Sequence, residues 1–108
     1  MPTLHLTDAA TRTLRHLEHG RRADPARLRR VRRALERLAA DPRHPGLRSH
    51  RYPALPGHPR QRAWTSYVDQ GAGAWRLHWT WGPADTDLAG RDHEDGPVLT
   101  VLLIGPHL

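Results

Sequence analysis

Residues 74–81 read AWRLHWTW, and this stretch decides the fold. Trp75, Leu77, Trp79 and Trp81 fall on one parity, and Arg76, His78 and Thr80 on the other. Side chains alternate across a strand, so the segment predicts a half-buried strand with one apolar and one polar face. Working outward, residues 62–69 (RAWTSYVD) carry the aromatic and β-branched content of a second strand. Gln70-Gly71-Ala72-Gly73 between them predicts a hairpin connection. On the other side, residues 82–97 (GPADTDLAGRDHEDGP) form a polar loop leading into residues 98–104 (VLTVLLI). That last run is apolar on both parities, which predicts an inner strand covered on both faces. Residues 47–55, which contain Tyr52, read as a further extended segment between the turns His44-Pro45-Gly46 and Pro56-Gly57-His58-Pro59.

The N-terminal half changes period. Residues 3–6 alternate weakly and predict a short strand. Thr7-Asp8 then signals a helix start, because Thr caps and Asp suits the positive end of the helix dipole. Ala10, Leu14 and Leu17 make an apolar stripe, and Gly20 is a natural stop. The second helix has the clearer signature: Asp24 as N-cap, Pro25 at the first helical position, and Leu28, Val31, Leu35 and Leu38 at helical spacing. Arg29, Arg30, Arg33 and Arg37 fall on the opposite face, and Asp41-Pro42 ends the helix. A short turn between the two helices predicts an antiparallel pair. The expected fold is α+β, a single domain over residues 1–108. An N-terminal strand and a two-helix hairpin pack on a mostly antiparallel sheet of four to five strands.

Composition narrows the function classes. All 17 basic residues are Arg, against 11 acidic residues, for a formal net charge of +6. Leu, Val and Ile together number only 20 and Phe is absent, so four Trp have to supply much of the core. With no Cys, disulfides, thiolate zinc sites and thiol nucleophiles are excluded. The longest strongly apolar run is far shorter than the roughly 20 residues that cross a bilayer. No signal peptide is visible, and the expectation is a soluble, cytoplasmic protein with no membrane association.

The charge is uneven. Residues 1–82 hold 16 Arg and six acids, whereas residues 83–97 hold one Arg and five acids. A basic body beside an acidic loop points to an anionic partner, with nucleic acid the commonest. Six Arg line the second helix, at positions 27, 29, 30, 32, 33 and 37. They read either as a nucleic-acid footprint or as a solvated helix face. A second basic cluster comprises His50, Arg51, Arg60, Arg62, Arg76 and His78. Arg76 and His78 are two apart and point the same way. Arg beside His suits phosphodiester chemistry, because Arg stabilises the added negative charge of the transition state while His moves protons near neutral pH. Asp92, His93, Glu94 and Asp95 fit no metal-ligand spacing, and no metal or other cofactor is expected.

In combination these segments resemble the RelE/ParE superfamily of type II toxin–antitoxin toxins. The resemblance runs through ALERLAADPRHPGL (34–47), HRYPALPG (50–57), RAWTSYV (62–68), AWRLHWTWG (74–82) and VLTVLLIGPH (98–107). Its most specific piece is aromatic-Arg-Leu-x-Trp at 75–79. RelE-like members cut mRNA in the ribosomal A site without metal, by attack of a 2′-hydroxyl on the adjacent phosphate to leave a 2′,3′-cyclic phosphate. The resemblance implies that Arg76 contacts the scissile phosphate and that His107 transfers a proton. It implies RNA binding around His50, Arg51, Arg60, Arg62 and His78. It also implies a cognate antitoxin, in a possible toxin–antitoxin hetero-oligomer. Where RelE has Lys residues this sequence reads Trp64-Thr65-Ser66-Tyr67-Val68, and no Glu base can be placed. The alternatives are a ParE-like toxin that inhibits DNA gyrase without cutting RNA, or an inactive RNA-binding member.

Overall fold

The structure is a computed structural model that describes residues 2–52, 62–70, 74–82 and 98–106. Its elements are β1 (Thr3–Leu6), α1 (Asp8–Glu18), α2 (Pro25–Ala40), a 3-10 turn at Pro45–Leu47, β2 (His50–Tyr52), β3 (Ala63–Tyr67), β4 (Trp75–Trp81) and β5 (Val98–Pro106). The strands form one five-stranded sheet in the order β1-β5-β4-β3-β2. β1 runs parallel to β5, and the other neighbours are antiparallel. β5 therefore has a strand on each side, as its apolar content predicts.

Local chemistry sets the helix ends. The Thr7 hydroxyl accepts from the Ala10 N–H at 3.2 Å and donates to the Leu102 carbonyl at 2.7 Å. One side chain thus caps α1 and pins it to β5. The Leu102 carbonyl is available because the β4–β5 pairing slips there: His78 faces Leu103, whereas Trp79 faces Val101. Leu102 is the extra residue of a bulge, and bulged residues leave the ladder. Asp24 caps α2 by accepting from the Arg27 N–H at 3.1 Å, with Pro25 first in the helix. α1 stops at Glu18, and Gly20, at φ +84°, makes the reversal into α2.

Both helices lie on one face of the sheet. Leu17, Leu28, Val31, Ala34 and Leu38 meet Leu77, Trp79, Leu99, Val101 and Ile104 in the main core. Each fully buried aliphatic side chain there contributes about 1.5–3 kcal/mol. A smaller cluster, Ala63 and Leu102 with Tyr52 and Leu103 against them, lies on the other side.

One boundary differs from the sequence reading. The extended segment expected over 47–55 is a strand only at His50–Tyr52, and positions 53–55 fall outside the described residues. His44 captures the Gly46 N–H on its Nδ1 at 2.9 Å, Pro45 starts a 3-10 turn, and Arg48 closes it in the left-handed region at φ 48°. Leu47, 1% exposed, belongs to the main core rather than to a strand. No helix among the described residues is long and apolar enough to cross a membrane.

Candidate active site

The sheet face away from the helices carries the polar side chains, and the strand register arranges them in rows. Tyr67 pairs with Arg76 and Arg76 with Gly105; His50 pairs with Thr65, Thr65 with His78, and His78 with Leu103. Tyr52, Ala63, Thr80 and Thr100 form the next row. Most of this polar face is closed to solvent: Arg76 is 8% exposed, and Thr65, His78 and Thr80 are at 2% or less.

Arg76 is the centre of the arrangement. Its guanidinium lies over the Tyr67 ring, 3.8 Å from the centroid, a cation–π contact. Its Nη1 donates to the carbonyls of Trp75 at 3.2 Å and Asp69 at 3.4 Å. Its Nε has no hydrogen-bond partner among the described residues. A buried donor left unpaired is costly and invites an acceptor. Opposite Arg76 on β5 stands Gly105, where an added Cβ would meet nothing within 4 Å among the described residues, so no side chain crowds Arg76 from that strand position.

The carboxylate nearest in sequence to Arg76 is already engaged. Asp69 accepts from the Trp75 N–H at 2.6 Å and from Arg30 Nε at 3.2 Å. It holds the β3–β4 hairpin to α2 and leaves Arg76 without a side-chain counter-ion among the described residues. Other Arg residues of α2 are also occupied: Arg32 pairs with Glu18, and Arg27 lies 4.8 Å from the Trp75 ring centroid and 4.0 Å from Asp24. Half of the helix's basic stripe is thus committed to intramolecular contacts.

Three imidazoles of the described residues lie on this face: His5 is exposed on β1 opposite Thr100, and the two nearer Arg76 differ. His78 is 1% exposed; its Nδ1 shares a 2.8 Å hydrogen bond with the Thr65 hydroxyl, and its ring meets Tyr52 edge-on at 5.3 Å. It supports the face from beneath and is not presented to a partner. His50 is exposed, with its ring edge-on to Tyr67 at 6.1 Å. Its Nδ1 lies 3.1 Å from the Arg48 carbonyl. A carbonyl only accepts, so Nδ1 carries the proton and, in the neutral ring, Nε2 is the acceptor.

The structure thus brings Arg76, His50 and His78 onto one face, with His78 buried. It does not bring Arg51 there. Arg51 pairs with Trp64, and its guanidinium lies 5.9 Å from that indole on the opposite face. Alternation separates Arg51 from His50 as surely as it groups Arg76 with His78. Arg62 is exposed immediately before β3, and its carbonyl accepts from the Thr80 hydroxyl. Arg60 and His107 lie outside the described residues, as does the acidic loop. Sequence reading missed Tyr67 and Asp69; the signal was the 62–69 strand itself, whose odd positions share the face of Arg76 once the hairpin is registered.

The two-helix hairpin laid on one face of a five-stranded sheet is an α+β fold with a counterpart among solved toxin structures. A search of solved structures found a YoeB/ParE toxin from Agrobacterium tumefaciens at a TM-score of 0.64, covering 98% of this chain and 99% of that one at 12% identity. The likeness is one of fold. No family model and no curated protein matched the sequence.

Proposed function

We propose that this protein is the toxin of a type II toxin–antitoxin pair and acts as an endoribonuclease on mRNA in the ribosomal A site. The observation that carries the reading is Arg76: a buried guanidinium stacked on Tyr67, whose Nε has no partner among the described residues, on the helix-free face of a toxin-like fold. In the reaction the 2′-hydroxyl attacks the adjacent phosphate. A bond from O2′ to phosphorus forms and the bond from phosphorus to O5′ breaks, leaving a 2′,3′-cyclic phosphate and a 5′-hydroxyl. Arg76 stabilises the negative charge that builds on the non-bridging oxygens. His50, with Nε2 as its acceptor, takes the 2′-hydroxyl proton. His107, two positions beyond Gly105 in sequence, returns a proton to O5′. Arg60, Arg62 and His50 hold the RNA backbone, with Arg51 contributing from the other side of the edge strand. The cognate antitoxin supplies an acidic segment that covers the same face, and the pair works in the cytoplasm.

The ParE-like alternative, gyrase inhibition without cleavage, draws on one observation. Asp69 is committed to Arg30 and Trp75, so the face lacks a free carboxylate base among its described residues. Cleavage in a translating extract separates the readings. The endoribonuclease reading expects mRNA fragments ending in cyclic phosphate, with a rate about 100-fold lower or less for Arg76→Ala and for His50→Gln. Growth arrest by the wild type with intact mRNA would transfer the assignment to gyrase. Full activity of His50→Gln would remove His50 as the base.

A further inference from the structure

The opposite face of the sheet holds a second feature that the active-site reading does not use. A pocket of about 400 Å³ opens beyond the C-terminal end of α2, between the α2–β2 connection and β3–β4. Its floor is built from indoles: Trp64 and Trp79 stack at 6.0 Å and 21°, and Trp79 meets Trp81 edge-on at 5.6 Å. Trp81 is 47% exposed, the one large hydrophobic side chain so exposed among the described residues. The rim carries Arg43, His44 and Arg48, and among the described residues no acidic side chain lines the pocket. Arg51 lies over Trp64 at its edge.

We propose that this pocket is a second RNA subsite, which takes one unpaired nucleobase on the indole floor and its phosphate on the Arg rim. The inference rests on the RNA-cleaving reading, but it concerns a different face and shares only Arg51 with the RNA-binding residues named above. Trp79, 3% exposed, supports the floor and offers it no donor. The Trp79 N–H is consumed by the Ser66 hydroxyl at 2.8 Å, which Ser49 engages in turn at 2.6 Å. Flat, sequence-tolerant stacking on aromatic side chains inside a cationic rim is how single-stranded nucleic acid is held. The volume suits a base with its sugar and phosphate, at the small end of ligand pockets of roughly 300–1,000 Å³. Arg48 is held in the left-handed conformation by the turn that forms the rim, an uncommon state for a residue with a side chain.

The edge strand joins the two faces. In β2, His50 faces the Arg76 side and Arg51 the Trp64 side. Three residues of strand span only about 10 Å. A single RNA strand crossing this edge meets the active-site face through His50 and the pocket through Arg51. An acidic peptide would match the Arg rim but would leave the indole floor without a stacking partner unless it were also aromatic.

The test uses the full chain and a labelled, non-cleavable 2′-O-methyl oligoribonucleotide, with binding read by anisotropy. Trp81→Ala should weaken binding at least about fivefold, while Trp81→Tyr stays within about twofold of wild type. Circular dichroism melting of both variants separates lost stacking from lost fold. Unchanged binding by Trp81→Ala, or no binding by the wild type, overturns the proposal. A free nucleotide monophosphate that competes as well as the oligomer would make this a small-molecule site. A Glu- and Phe-rich peptide that displaces the oligomer at lower concentration would make it a protein-docking site. Either result overturns the RNA assignment. If mRNA is cut normally while Trp81→Ala binds unchanged, the subsite fails alone; if the oligomer binds through Trp81 but no mRNA is cut, the enzymatic reading fails alone.

Discussion

The two faces of the sheet are built from the same strands by opposite rules. On the helix-covered face, Leu77, Trp79, Leu99, Val101 and Ile104 are buried by packing against α1 and α2. On the helix-free face, Thr65, Arg76, His78, Thr80 and Thr100 are buried as well, yet they are polar. Hydrogen bonds take the place of packing there: Thr65 to His78, Thr80 to the Arg62 carbonyl, Thr100 to the Gly82 carbonyl. One face holds the fold together, and the other keeps polar groups at fixed positions. Arg76 departs from that pattern, since its Nε is buried without a partner among the described residues.

That contrast can be broken from either side. Leu77→Ala removes a side chain with no exposure from the packed face and should cost about 2–5 kcal/mol, read as a large drop in the denaturation midpoint. A loss below about 1 kcal/mol would mean that the helices do not clamp this face. Thr65→Val keeps the shape but removes the hydroxyl bonded to His78, and should cost about 1–3 kcal/mol. If it proves neutral, the polar face is not secured by that hydrogen bond. Asp24→Ala removes the cap of α2 and should cost about 1 kcal/mol with mRNA cleavage unchanged. A large effect on cleavage would mean that the α2 contact through Arg30 and Asp69 governs the position of Arg76.

Much of the fold was legible because its signals were local. The caps at Thr7 and Asp24, the stripe Leu28-Val31-Leu35-Leu38 and the alternation of residues 75–81 each act within one element. The structure reproduces the caps and the stripe; in residues 75–81 it keeps the two parities but not the half-burial, since Arg76, His78 and Thr80 are buried and Trp81 is exposed. What escaped depended on pairing between elements. The slip at His78/Trp79, which frees the Leu102 carbonyl for Thr7, is set by β4 against β5 and leaves no mark in either strand alone. The stretch 47–55 misled because turn chemistry at His44–Arg48 outweighs the extended look of the residues that follow. The candidate site was half legible. Parity put Arg76 and His78 together, but parity gives no depth, so the burial of His78 was invisible. Arg51 was grouped by sequence proximity with residues whose face it does not share. Tyr67 became part of the site only once the hairpin register set it beside Arg76.

The central claim is that the face bearing Arg76 cuts translating mRNA. Mapping mRNA 5′ ends after induced expression, with Arg76→Ala as the matched control, tests it most directly. The account predicts new ends phased to the A-site codon in cells expressing the wild type and their absence with Arg76→Ala, at equal protein levels. Growth arrest with unchanged 5′ ends, or the same cuts produced by Arg76→Ala, would contradict it.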